Sequence, residues 1–330
     1  MIVIKIGIIG AGKVGTTIGK VLVDYAYELK NCNASNENGT FDEINDSKEG
    51  NIFKVSKTNT KSDSTENELM ITGFYSRSYE SAKESAEFTK TNAFKEIDDL
   101  LSVSDTLFIT TPDGEIEKIW DCITEKNSGK EASGKNNFEN NISNKLIYHF
   151  SGSLSSDVFT NSDVHNMSCA SFHPVFAFSD KFKSYEQFHN VSITADGDEK
   201  AVNALKPVFE AIGCKVNVIK PVDKARYHAA TVCASNFVVG LVGFAVNLLE
   251  TCGFEEKAAY EILSGLTTKN VENIFKTDVY SALTGPVERG DFKTVEKHLQ
   301  ALNDEEREVY EALNKEVIKI AEIKHSREAK

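Results

Sequence analysis

The chain reads as an α/β protein, a parallel sheet with helices on both faces followed by an all-helical C-terminal domain. Three observations predict this. Apolar, strand-like runs alternate with helix-patterned stretches; the first such run closes on glycines; and no strand-like run remains after Pro221. The expected division is a sheet domain over residues 1–220, with polar insertions at 30–68 and 125–144, and a helical domain over 221–330.

Ile2–Ile9 is a largely β-branched, apolar run that ends in glycines, the composition of a strand buried on both faces. Ala11–Leu29 has helical spacing, with Val14, Ile18, Val21, Leu22 and Tyr25 on one stripe. Lys30–Glu68 is rich in polar residues, and its few apolar ones show no period, which predicts an insertion. Strand character returns at Leu69–Tyr75, helix at Glu80–Thr89, and strand at Thr106–Thr110, which breaks at Pro112-Asp113-Gly114. A short helix (Ile116, Ile119, Trp120, Ile123) and the second polar insertion lead to a strand at Lys145–Phe150. Val191–Thr194 and Lys215–Ile219 read as strands flanking an amphipathic helix, Glu199–Ile212. Beyond Pro221, helices are expected at Asp223–Cys252, Phe254–Ser264, Thr268–Leu283, Asp291–Leu302 and Glu305–Lys324.

With 330 residues the chain can build two domains, and 40% hydrophobic with 26% charged residues suits a globular protein. A net charge of −13 argues against nucleic acid or anionic membrane as main partners, because both require clustered Lys and Arg. It leaves room for an anionic cofactor in a locally positive pocket. The six cysteines are scattered without a C-x-x-C pair, so free thiols in a reducing cytoplasm are expected and a metal site is not. Met1–Gly7 enters an apolar strand directly, without the pattern of a signal peptide. Ala229–Leu249 is apolar enough to merit a membrane check. It carries Thr231, Ser235, Asn236 and Asn247, so a buried central helix is expected instead.

The sharpest motif is Gly10-Ala11-Gly12-Lys13-Val14-Gly15, which follows a strand and opens a helix. In that context it is the dinucleotide-binding fingerprint of a Rossmann sheet. The first glycine permits the tight turn, the second lets a pyrophosphate approach the backbone, and the third lets helix and strand pack closely. Orphan N–H groups and the positive end of the helix dipole complete an anion site. At the tip of the second strand an NAD-selective site carries an acid that bonds the ribose 2′-OH. This chain instead has Ser76-Arg77-Ser78, where Arg77 offers a fork for a 2′-phosphate. NADP is therefore expected over NAD. The polar insertion separates Arg77 from the glycines by far more than the usual twenty or so residues. Thr111-Pro112, ending the next strand, is expected to line the nicotinamide side of the crevice.

Candidate reacting residues gather at the ends of later strands. His149-Phe150-Ser151-Gly152-Ser153 and Ser171-Phe172-His173-Pro174 bring two imidazoles and several hydroxyls to one sheet edge. Lys224 and His228, four apart, share a helix face, and Asn236 lies eight residues further on. Such polar groups on an apolar helix are costly unless paired or facing a cavity. In the irregular loop Thr284–Asp291, Arg289 could bind an anionic group and Asp291 could cap the next helix.

The glycine motif, His149-x-Ser151-Gly152, His173-Pro174, Tyr227-His228-Ala229-Ala230, Ser235-Asn236 and Thr284-Gly285-Pro286-x-x-Arg289-Gly290-Asp291 occur in an order that resembles a bacterial family. Its members are described as Rossmann-like oxidoreductases with a C-terminal domain of unknown function. More distantly the chain is similar to the β-hydroxyacid dehydrogenase and pyrroline-carboxylate reductase superfamily. That resemblance implies a helical domain of the phosphogluconate dehydrogenase type, often paired into dimers. The β-hydroxyacid dehydrogenases use a Lys-x-x-x-Asn pair, and here His228 stands four residues after Lys224. The expected activity is NADP(H)-dependent hydride transfer to a small carbonyl, imine or hydroxyacid-like substrate in an interdomain cleft. Lys224 or His228 would handle the proton, with His149, Ser151, Ser153, His173, Asn236 and Arg289 around the substrate. A dinucleotide-binding sensor or scaffold without turnover is the alternative. An S-adenosylmethionine site would call for an acid at the second strand's tip.

Overall fold

The computed structural model describes residues 2–37, 67–125 and 143–329. Most of the two expected insertions, residues 38–66 and 126–142, lies outside them. The described chain forms two compact units, Met1–Val232 and Cys233–Lys330.

The first unit is an eight-stranded sheet of order β3-β2-β1-β4-β5-β6-β7-β8. Its strands are β1 (Ile2–Ile9), β2 (Asn67–Tyr75), β3 (Asn92–Phe94), β4 (Thr106–Ile109), β5 (Leu146–His149), β6 (Ser168–Pro174), β7 (Ser192–Gly197) and β8 (Lys215–Val218). The helices are α1 (Lys13–Glu37), α2 (Tyr79–Thr89), α3 (Ile97–Val103), α4 (Asp113–Glu125), α5 (Glu199–Ala211) and α6 (Lys224–Cys233). This is the doubly wound architecture expected from sequence. The strands from β3 through β6 run parallel, which brings their carboxyl ends to one edge. The sheet is not wholly parallel, however. β7 runs antiparallel to β6, and β8 follows β7. Residues 175–191, with one 3-10 turn at Ser184–Gln187 and no α-helix, join β6 to its antiparallel neighbour β7.

Period-two alternation divides the strands between two cores. Ile6, Ile8, Phe108, Tyr148, Phe172 and Ile193 join Ile18 and Leu22 of α1 and Leu205 and Phe209 of α5 on one face. Ile9, Leu107, Ile109 and Ile147 meet Leu100 of α3 and Trp120 of α4 on the other. The second face changes character toward β7. There the alternate positions of β5, β6 and β7 are His149, Ser171, His173, Thr194 and Asp196, a polar row on an otherwise apolar sheet.

The expected division at residue 220 and the observed one after Val232 differ by the length of α6. Lys224 is 1% exposed and bonds strand side chains, so α6 travels with the sheet. The single long helix expected at Asp223–Cys252 is two helices. Ser235 is non-helical (φ −125°, ψ −82°), and its hydroxyl donates to Asn236 Oδ1 at 3.0 Å.

The second unit is helical as expected: α7 (Asn236–Thr251), α8 (Glu256–Lys276), α9 (Val279–Ala282), α10 (Phe292–Ala301) and α11 (Asp304–Glu328). α8 runs through the break expected near residue 265, because an isolated glycine inside a helix is tolerated. Asp291 caps α10, its carboxylate accepting from the Thr294 N–H at 3.2 Å. Val287, Val295 and Ala321 form a small core among the loop, α10 and α11. α7 is not the buried central helix expected. Val246 is its buried residue, while Phe237 and Val239 are 62% and 74% exposed. By length and composition Pro221–Thr251 could cross a membrane.

Candidate active site

The glycine loop is built by exclusion. Gly10 has φ +112°, and a Cβ on it would lie 2.8 Å from the Thr110 carbonyl carbon. A Cβ on Gly15 would collide with the Gly10 carbonyl oxygen and the Thr110 hydroxyl. Gly12, immediately before α1, has nothing within 4 Å of the same position. The three glycines thus split into two that let the chain close on itself and one that keeps a face open. The loop is also anchored. Thr110 Oγ1 donates to the Gly10 carbonyl at 2.7 Å, and Ser81 Oγ of α2 to the Ala11 carbonyl at 3.0 Å. Val14 is half-buried, and Lys13 stands exposed at the first turn of α1.

Arg77 lies exposed just beyond β2. The Glu115 carboxyl of α4 is held below its usual range by Lys118 first and by Arg77 further off, which puts the guanidinium within electrostatic reach of α4's first turn. Ser78 is committed to capping α2, accepting from the Ser81 N–H at 3.3 Å, and Ser76 is half-buried beside it. Beyond β4, Pro112 carries the carbonyl that accepts from the Glu115 N–H at 2.9 Å and starts α4. The Thr111 hydroxyl is buried with no hydrogen-bond partner among the described residues. A buried hydroxyl left so costs about 1–3 kcal/mol, which an incoming acceptor would recover.

Further along the same edge, His149 is fully buried with both ring nitrogens engaged. Nδ1 accepts the Ser151 N–H at 3.2 Å, and Nε2 faces the Ser155 carbonyl at 3.1 Å, so the proton sits on Nε2. Burial pushes its pKa down to about 4. This is a neutral imidazole that shapes the β5 loop. Ser151 Oγ accepts from the N–H groups of Ser153 and Leu154, a turn-closing role, and Ser153 Oγ donates to Asp113 at 2.6 Å.

α6 reads the polar row two strand pairs at a time. Ser171 and Asp196 are cross-strand partners, and Lys224 Nζ donates to both, at 2.7 and 3.0 Å. Two residues along β6, His173 lies opposite Thr194, and Tyr227, three residues along the helix, meets both: His173 Nδ1 at 2.8 Å and the Thr194 side chain. Three helix residues rise about 4.5 Å and two strand residues about 6.6 Å, a difference that the long Lys224 and Tyr227 side chains span. Asp196 Oδ1 also accepts the Ser156 N–H at 2.7 Å, leaving this fully buried carboxylate bonded through both oxygens. Burial lowers the Lys224 pKa, and Asp196 opposes that shift. His228 completes the group, its ring centroid 6.0 Å from that of His173. Gly152 admits both imidazoles: a Cβ there would stand 2.7 Å from His173 Nε2 and 2.8 Å from His228 Cδ2. Burial, then the charges of Lys224 and His228, drive His173 down to about 4.

The structure therefore brings together His149, Ser151, Ser153, His173, Lys224 and His228. Asn236 and Arg289 are exposed and belong to the other unit. Sequence reasoning passed over Asp196 and Tyr227. The signal for Asp196 was a carboxylate inside an otherwise uncharged strand, Ser192–Gly197, and for Tyr227 its place one turn after Lys224.

Fold and edge together define a doubly wound sheet with a dinucleotide-type glycine loop and a separate helical unit. Residues 191–317 match the family described as a domain of unknown function (DUF2520), so the C-terminal domain implied by the sequence resemblance is present. That match begins at β7 and includes Asp196, Lys224, Tyr227 and His228. No curated protein matches the chain. Among solved structures, a Thermotoga maritima protein, TM1727, is 23% identical with a TM-score of 0.64, covering 97% of this chain and 99% of that one. A Bacteroides fragilis protein, provisionally named an NADP oxidoreductase, is 18% identical with a TM-score of 0.61, covering 96% and 98%. An imine reductase from Myxococcus stipitatus, solved with NADP+, is 12% identical with a TM-score of 0.55, covering 97% and 94%. These likenesses establish a shared fold.

Proposed function

We propose that the protein is an NADP(H)-dependent oxidoreductase acting on a small carbonyl, imine or hydroxyacid-like substrate. The observation that carries this reading is the open face at Gly12, set at the start of α1 on the same sheet edge as the Gly152–His173–His228 cluster. Gly10, Ala11, Gly12, Lys13, Val14 and Gly15 would hold the pyrophosphate through backbone N–H groups and the helix dipole. Thr111, with its orphaned hydroxyl, and Pro112 would border the nicotinamide. When bound, the nicotinamide supplies or accepts a hydride at C4. The chain's own task is to orient the substrate over the β5 and β6 ends and to manage one proton. His228 and His173 are the groups placed to do it, since Lys224 is sealed into its ion pair. The provisional naming of the Bacteroides protein and the NADP+ in the imine reductase support the same class. NADPH titration of the purified protein, followed by cofactor fluorescence, tests the proposal, and absence of saturable binding up to millimolar NADPH would sink it.

Arg77, with Ser76 and Ser78, is assigned to the 2′-phosphate. Arg77→Ala is expected to weaken NADPH about 10- to 100-fold, the worth of a charge-assisted fork, and to leave NADH within about twofold. Equal losses for both cofactors would remove the assignment.

We also propose that the helical unit pairs with a second copy of the chain. Phe237, Val239 and Leu266 are widely exposed, and cores of this kind are normally covered. Asn236 and Asn247 are exposed on the same helix. In hydrocarbon the Asn247 amide and the Asn236 amide N–H groups would lack partners, whereas a protein surface can bond them. Light scattering on the detergent-free protein is expected to give twice 36.5 kDa, with Val239→Asp lowering the mass. A monodisperse monomer, or protein recovered only from membranes, would overturn the pairing.

A further inference from the structure

Tyr227 is the polar side chain of the cluster that the hydride chemistry leaves without a task. Its hydroxyl is 2.8 Å from His173 Nδ1, its ring stands edge-on to the imidazole at 5.8 Å, and Thr194 gives the phenol a second bond. The opposite nitrogen, His173 Nε2, lies against the Gly152 backbone, and the His173 side chain is half-buried, not sealed. Lys224 Nζ lies 5.8 Å from the centroid of the Tyr227 ring. One line of groups thus runs from a buried ammonium, through a phenol and an imidazole, to the carboxyl edge of the sheet.

We propose that Tyr227 and His173 form a two-proton relay to the reacting heteroatom. The proposal rests on the oxidoreductase reading above. As hydride from the reduced nicotinamide forms the new C–H bond, the π pair of the C=O or C=N group moves onto oxygen or nitrogen. That atom takes the proton from Nε2. In the same step Nδ1 takes the phenol proton, and the O–H pair stays on Tyr227 as phenolate. The imidazole remains neutral, with its proton moved from one nitrogen to the other. Water returns a proton to the phenolate afterwards, and the oxidation direction runs the relay backwards.

Two physical arguments favour a relay over a lone acid. The groups facing His173 are Lys224, Tyr227 and His228 on α6, His149 on β5 and Asp113 at the start of α4. Burial and the nearby cations keep its pKa near 4, so no imidazolium is at hand at neutral pH. A neutral imidazole that gave up Nε2–H alone would become an imidazolate, unless Nδ1 gained a proton as the other left. Tyr227 is the group at hydrogen-bond distance from Nδ1 that can supply it. Burial raises the phenol pKa and the Thr194 hydrogen bond opposes that shift, and an alkoxide is a far stronger base than a phenolate.

Nitrogen-15 NMR of the labelled full-length protein tests the proposal before any substrate is known. His173 is expected as the neutral Nε2–H tautomer, and Tyr227→Phe is expected to shift it toward Nδ1–H while NADPH binding stays within about twofold. With a substrate that the wild type turns over, Tyr227→Phe is expected to lower kcat about 10²- to 10³-fold, with KM within about threefold, in line with general acid catalysis. A wild-type Nδ1–H tautomer, or an unchanged kcat in the variant, overturns the relay while leaving NADPH binding intact. Absence of NADPH binding instead overturns the oxidoreductase reading, and the relay with it.

Discussion

Lys224→Met is expected to lower the melting temperature by about 10 °C, the largest stability effect of any single change in the site. Lys224 and Asp196 are 1% and 0% exposed and 3.0 Å apart. Removing one partner of such a pair strands the other charge in the interior, at a cost of about 3–5 kcal/mol. For a domain of this size that energy corresponds to about 2–4 °C per kcal/mol. The cost comes from the stranded carboxylate, so it should be recoverable. In Lys224→Met/Asp196→Asn the buried charge is gone, while the amide oxygen still accepts the Ser156 N–H that Asp196 Oδ1 now holds. The double variant is expected to regain most of the lost stability. Thermal denaturation of the two variants beside wild type decides the matter. A single variant within about 2 °C of wild type would mean that the pair does not support the fold.

Gly12→Ala is expected to have the largest effect on ligand binding with almost none on folding. Among the described residues beyond its chain neighbours, nothing lies within 4 Å of the added methyl, so the fold has no reason to yield. The melting temperature should stay within about 2 °C, since alanine before a helix costs about 1 kcal/mol or less relative to glycine. A bound pyrophosphate must approach that same space, and NADPH affinity is expected to fall at least tenfold. Gly15→Ala is the contrasting variant. Its methyl would strike the Gly10 carbonyl and the Thr110 hydroxyl, so it should damage folding and binding together. If Gly12→Ala binds NADPH like wild type, the dinucleotide does not sit on this loop.

Where one face or one turn dictated the residues, the fold was legible in the sequence. The end of β1, Ile6–Ile9, is apolar because it is buried on both sides, and the glycines after it have the spacing that the close turn demands. β3 was hidden because three residues cannot show a period. β6 was hidden for a different reason. Ser168-Cys-Ala-Ser-Phe-His-Pro174 lacks the β-branched signature because alternate positions serve the polar row, not the core. Asp196 escaped for the same cause, since a carboxylate beside Gly197 looks like the start of a turn. The break at Ser235 falls on the polar pair Ser235-Asn236 within an apolar run, and no proline or glycine marks it. Of the site, the residues that stand in motifs were legible. What sequence could not supply was the cross-strand register, which pairs Ser171 with Asp196 and His173 with Thr194.

That register has a consequence for anyone who would move this chemistry elsewhere. Loops of a doubly wound sheet can be exchanged with little harm, because each ends in solvent. The polar row does not sit in loops. It is spelled by alternate residues of β6 and β7 and decoded by one turn of α6, and a slip of a single residue would turn every member to the opposite face. A graft must therefore carry β6, β7 and α6 as one indivisible cassette, with the reversal of strand direction between them. A single-residue deletion within β7 is accordingly a sharper way to silence the protein than any exchange at its surface.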